Sequence, residues 1–133
     1  MNAKSALGAY KATKNDLALT DASPQKLIGL LLDRALEHVS KASGSMQRGE
    51  VAATGEAIGK AMTIISSLQA ILDHEQGGVI AKNLDKLYDY ITQRLLQATS
   101  EKNIDHLTEV TGLLHEIKAG WDTIPADTTP VSE

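Results

Sequence analysis

The sequence predicts an all-α fold: an antiparallel four-helix bundle, preceded by a short helical cap segment and followed by a disordered tail. Three observations carry this expectation. Apolar residues recur at spacings of three and four along four successive segments, which places them on one face of a 3.6-residue helix. Phe is absent and aromatics are 3 % of the chain, so the core must be aliphatic, as suits helices packed through Leu, Ile and Ala. The breaks between segments are short, and short connections favour antiparallel neighbours. With 133 residues the chain has material for one domain. It divides into residues 1–22 as cap segment and linker, 23–124 as bundle and 125–133 as tail.

From Met1 to about Lys14, Ala3, Ala6, Leu7 and Tyr10 share a helical face, but a helix this short is marginal alone and must lie against the body to persist. Asn15 to Ala22 reads as linker. Ser23-Pro24 starts the first bundle helix, because a serine oxygen caps free amides and proline suits the first helical position. Leu27, Ile28, Leu31, Leu32, Ala35, Val39, Ala42 and Met46 run down one side of it, and Gly49 ends it. The next helix spans about Glu50 to Leu72, and its apolar arc, from Val51 through Ile58 and Ile65 to Leu72, covers close to half the circumference. The segment Asp73 to Gly78 is expected to turn, its two glycines permitting positive φ.

The helix from Gly77 to Ala98 carries one stripe of Ile80, Leu84, Leu87, Tyr88, Ile91, Leu95 and Ala98, opposite a solvated face of Lys82, Asp85, Lys86, Asp89 and Gln93. Beside the stripe, Asn83, Tyr90, Arg94 and Gln97 form a ridge at the border between core and water. Such a ridge either recognises something or packs an aromatic ring and an arginine stem over apolar surface. Asn103 to Thr123 forms the last helix through Ile104, Leu107, Val110, Leu114, Ile117 and Trp121. Pro125 stops it, and the polar, acidic ADTTPVSE is expected to be disordered.

Composition and spacing exclude several functions. The chain has 13 Lys and Arg against 17 Asp and Glu, a formal charge of −4, with no basic run to grip nucleic acid. It lacks cysteine, so disulfides and thiol chemistry are excluded. MNAKSALGAY resembles no signal peptide and no apolar stretch approaches the roughly 20 residues of a membrane span, which makes the cytoplasm the expected location. A di-iron bundle needs Glu-x-x-His pairs, and none occurs. His115-Glu116 fails as a zinc-protease motif because residue 119 is Ala. No P-loop, dinucleotide fingerprint or nucleophile elbow is present, and His38, His74, His106 and His115 fall on different elements. No catalysis and no metal or other cofactor is expected.

A helical binding module, a self-associating structural bundle and an enzyme with an unseen site remain. The wide apolar arcs of the first two bundle helices should leave aliphatic surface exposed, which marks a partner site suited to helix-in-groove binding. A homodimer would consume the same surface, so monomer and homodimer both stay open.

Several stretches in order resemble the flagellar secretion chaperones, the FliS family. They are TDASPQKLIGLL (Thr20 to Leu31), IGKA (Ile58 to Ala61), LDHEQGGVIAKNLDKLYDYITQRLLQA (Leu72 to Ala98) and EVTGLLHEIKAGW (Glu109 to Trp121). The combination Leu72-Asp73-x-Glu75-x-Gly77-Gly78, then Asn83-Leu84 and Leu87-Tyr88-x-Tyr90, carries most of the specificity. Leu32-Asp33-Arg34, Val79 and Gly120 depart from the usual family pattern. The resemblance implies a cytosolic bundle that binds the C-terminal segment of flagellin, holds it monomeric and presents it for type III export, with an anti-sigma factor or an export-gate protein as further partners. It also implies that the N-terminal segment bearing Tyr10 covers a groove in the free protein. The contact residues expected from ridge, arcs and resemblance together are Leu7, Tyr10, Ile28, Leu31, Asn83, Leu87, Tyr90 and Arg94.

Overall fold

Four helices follow one another in the computed structural model, which describes residues 24–123: α1 Pro24–Gln47, α2 Val51–Ala70, α3 His74–Glu101 and α4 Ile104–Asp122. Connections of three, three and two residues (48–50, 71–73 and 102–103) force each helix to double back beside its predecessor. The result is the all-α bundle, with no strand among the described residues. Each helix packs chiefly on two others: α1 on α2 and α4, and α3 on α2 and α4. The expected cap segment, with Leu7 and Tyr10, and the expected disordered tail lie outside the described residues.

The three reversals have distinct local chemistry. At the end of α1, Glu50 N–H donates to the Ser45 carbonyl at 2.9 Å and Gly49 N–H to that of Met46 at 3.1 Å, with Gly49 at φ +71°. This pair of bonds closes the helix only if the residue after it is left-handed, a conformation that glycine adopts without cost. At the start of α3 the Asp73 carboxylate accepts from the amides of Glu75 (3.1 Å) and Gln76 (3.0 Å). The α3–α4 reversal places Lys102 at φ 51° and caps α4 with Asn103, whose side chain accepts from the Asp105 amide at 2.9 Å.

The core is aliphatic as expected. Leu31, Leu32, Val39, Ile65, Leu68, Ile91, Leu95, Leu107, Val110 and Leu114 are fully enclosed, and among the described residues Tyr88 and Trp121 are the buried aromatics. Each such Leu or Ile contributes about 1.5–3 kcal/mol by leaving water. Trp121 satisfies its indole by donating to the Gln25 carbonyl at 2.8 Å, which ties the end of α4 to the start of α1. Burial pushes the Tyr88 phenol well above its ordinary pKa.

Two expectations are corrected. Asp73 to Gly78 is not all turn: α3 begins at His74, runs one turn and breaks at Gly78 (φ 50°, ψ −124°) before continuing. Asp73 is the reason, since its cap satisfies the first amides. Ile80 is not in the core stripe but 62 % exposed, while its neighbour Ala81 is fully buried. Counted back from the α3–α4 reversal, the 19 residues of α4 reach only to about residue 83 of α3. The side of α3 that carries Ile80 therefore extends past the end of the helix that would cover it.

Candidate functional site

On α3, Asn83, Leu87, Tyr90, Arg94 and Gln97 follow one another at steps of four and three, so they form a line along one flank of the helix. The structure turns that flank toward α4. Tyr90 Oη donates to Glu109 Oε2 of α4 at 2.5 Å. Arg94 Nε donates to Tyr90 Oη at 2.9 Å and lies 2.9 Å from Glu109 Oε1, while its Nη1 donates to Gln97 Oε1 at 2.7 Å. The guanidinium carbon sits 5.2 Å from the centre of the Tyr90 ring, within reach of a cation–π attraction. The hydrogen bond with Tyr90 does most to push the Arg94 guanidinium above its ordinary pKa; the Glu109 charge adds to this and desolvation opposes it.

Part of the expected ridge is thus a polar clasp between two helices. Its residues remain at the surface, Tyr90 at 37 % exposure, so the clasp presents an aromatic edge, a cation and a carboxylate to solvent at once. Asn83 is exposed next to it, and Leu87 is partly buried against the core. Ile28 and Leu31 lie elsewhere, sealed within the core on α1.

The opposite flank of α3 is clasped as well. Gln69 Nε2 of α2 donates to Asp89 Oδ1 at 2.8 Å, to Asp85 Oδ1 at 3.1 Å and to the Asp85 carbonyl at 3.2 Å. Neither Glu109 nor Gln69 stood out in the sequence. Both border an apolar stripe where any polar residue is unremarkable, and only the neighbouring helix discloses their role.

Aliphatic surface does remain, chiefly on α3. Val79 (73 % exposed), Ile80 and Leu96 protrude there, with Val51 at the start of α2 and Leu30 on α1. The wide arc of α2 mostly sinks into the core, because α2 packs on both α1 and α3. Among the described residues no helix is long and apolar enough to cross a membrane, and no group of three or more His, Asp or Glu is placed to hold a metal ion.

A clasped helical bundle with exposed aliphatic edges fits many binding modules; the comparison with known proteins decides among them. Residues 6–128 match the family model described as flagellar protein FliS. The chain belongs to the FliS family. It is 41 % identical to the flagellar secretion chaperone FliSB of Pseudomonas aeruginosa over 124 residues, covering 93 % of this chain and 98 % of the relative. The flagellar secretion chaperones FliS of Vibrio cholerae (40 % identical, covering 93 % of this chain and 91 % of the relative) and Salmonella typhimurium (42 %, covering 93 % of each) are similar. The match spans all four helices, so the resemblance read from separate motifs is a relationship across the described FliS bundle. The FliS relatives are named as chaperones and not as enzymes.

Proposed function

We propose that this protein is a cytosolic export chaperone that binds the disordered C-terminal segment of flagellin, prevents its premature polymerisation and presents it to the flagellar type III secretion system. The observation that carries this reading is the match of nearly the whole chain to flagellar secretion chaperones. The exposed Val79, Ile80 and Leu96 on α3 support it, since a disordered segment that folds on binding needs aliphatic side chains to bury against. Each fully buried Leu or Ile contributes about 1.5–3 kcal/mol, while ordering the segment costs about 1–2 kcal/mol per residue, so tight binding requires a long wrapped interface.

In this reading Asn83, Leu87, Tyr90 and Arg94 meet the bound segment along the α3 flank. Ile28 and Leu31, sealed in the core on α1, hold the bundle together and do not meet the segment at that flank. Residues 1–14 cover the groove through Leu7 and Tyr10 until flagellin displaces them. An anti-sigma factor or an export-gate protein is a further partner.

Calorimetry with a flagellin C-terminal peptide tests the proposal. Binding at micromolar concentration is expected, and Arg94→Ala is expected to weaken it more than it lowers stability. Absence of heat and of amide shifts, with a concentration-dependent rise in mass, would replace the chaperone by a self-associating adaptor.

A further inference from the structure

A second feature lies on the other side of the bundle, apart from the α3 flank and independent of the flagellin reading. Between the C-terminal half of α1 and the N-terminal half of α2 is an open cleft of about 570 Å³. The chain carries a formal charge of −4, yet this cleft gathers His38, Lys41 and Arg48 from α1 and its end, and Lys60 from α2. Its two lining acids are taken up locally: Glu50 pairs with Arg48 at 3.1 Å and Glu56 with Lys60 at 3.3 Å. Both pairs are well exposed, so neither is held strongly. Lys41 has no carboxylate partner among the described residues.

Four further details point the same way. Ser45 lines the cleft at 6 % exposure, and its hydroxyl makes no hydrogen bond to any described residue. Its Oγ is not sealed from solvent, so it is free to donate to water or to a ligand in the cleft. Gly44, on the same wall, lets the Arg48 guanidinium fold down over α1; a Cβ there would meet Arg48 Nη1 at 3.2 Å. The first turn of α2 opens beside the cleft with no side-chain cap and no acidic residue, which leaves its amides and its positive dipole end available. Desolvation, with Lys41 and Lys60 adding to it, lowers the pKa of His38, as expected of a pocket with excess positive potential.

We infer that this cleft is a docking site for an acidic peptide segment of a partner protein, whose carboxylates pair with Lys41, Lys60 and Arg48 and accept a hydrogen bond from Ser45 Oγ. The cationic wall from His38 to Arg48 extends about 15 Å along α1, several times the span of a single phosphate. A chain of carboxylates reaches all of it and a small anion does not. Ala53 and Ala57 keep the α2 side of the cleft low enough for an extended backbone. The incoming acids exchange with Glu50 and Glu56, so the interaction is weak and sensitive to salt.

The test is an NMR titration of the full-length 15N-labelled protein with the capped peptide GEGEGEGE, its GQGQGQGQ counterpart and inorganic phosphate. The acidic peptide is expected to shift the amides of Ser45, Ala53 and Ala57 and to raise the His38 pKa, while the glutamine peptide does neither. Lys41→Glu is expected to weaken the acidic peptide about tenfold, a change of about 1.4 kcal/mol, and Ser45→Ala severalfold, both with flagellin-peptide binding unchanged. No shift at millimolar peptide, or shifts that map to another face, would overturn the site. Equal saturation by phosphate at the same concentration would overturn the peptide assignment, and so would tighter binding of a single-stranded oligonucleotide. Failure of flagellin binding alone leaves these readouts intact, which keeps the two proposals separable.

Discussion

The α1–α2 seam and the two seams of α3 share one aliphatic core but differ at their edges. α1 and α2 pack closely and supply enclosed aliphatics to the core, Leu32 and Val39 from the one and Ile58 and Ile65 from the other, and no side-chain hydrogen bond joins the two helices among the described residues. α3 also buries Ile91 and Leu95 in the core, and in addition it is clasped on both flanks, by Gln69 from α2 and by Glu109 from α4. Aliphatic burial has no substitute partner short of unfolding. A hydrogen bond at the surface can be traded for one to water or to a bound chain at small net cost. α1 and α2 therefore form the fixed part of the molecule, and α3 is the helix whose outer contacts can be exchanged.

The largest effect that sharpens this contrast is expected in the fixed part. Leu32→Ala should cost about 2–5 kcal/mol in urea denaturation, the range for an enclosed leucine. A loss below 1 kcal/mol would mean that the α1–α2 seam relaxes and the contrast fails. Next comes Glu109→Ala, which removes the acceptor of Tyr90 and the counter-charge of Arg94. Because the clasp is at the surface, the expected loss is about 1 kcal/mol. A loss comparable to that of Leu32→Ala would show that the clasp holds the fold. A third step is Gln69→Ala, expected at about 0.5–1 kcal/mol by the same reasoning.

These sizes also show why the fold was more legible than the site. Pro24 at the helix start, the three-and-four spacing and the missing Phe depend on local chemistry and period, so they mark helices and core without reference to neighbours, while Ser23 lies outside the described residues. The clasp depends on which helix lies beside which. Arg94 and Tyr90 could be placed on one flank from their spacing, but Glu109 is 15 residues beyond Arg94 on another helix, and nothing local pairs them. Ile80 failed for a related reason: its position in the stripe was right, but the length of α4 decides whether that position is covered. Asp73 is a cap by residue type, but the glycine pair that follows it reads as a turn and hides the helix start.

The smallest expected effect concerns pH at the α1–α2 cleft. His38 is held below its ordinary value of 6.5 in the folded state, so as pH falls through 6.5 the unfolded chain takes up the proton first. That contribution to stability is present above this pH and fades below it. Replacing His38 by Gln should therefore flatten the fall in denaturation midpoint between pH 7.5 and 5.5. A steeper fall in the variant would mean that His38 gains a carboxylate partner in solution, most directly Glu37 or Glu56.

Gly78 bears on how the molecule opens. Its backbone separates the single turn His74–Gly77 from the rest of α3, so that turn can come undone without disturbing the ladder beyond it. Amides of that turn should lose protection from hydrogen exchange long before those around Ile91. When it opens, the α2–α3 connection grows from three residues (71–73) to eight (71–78). The longer tether loosens only the N-terminal end of α3, because the two-residue connection to α4 and the enclosed Ile91 and Leu95 keep the rest of the helix in register.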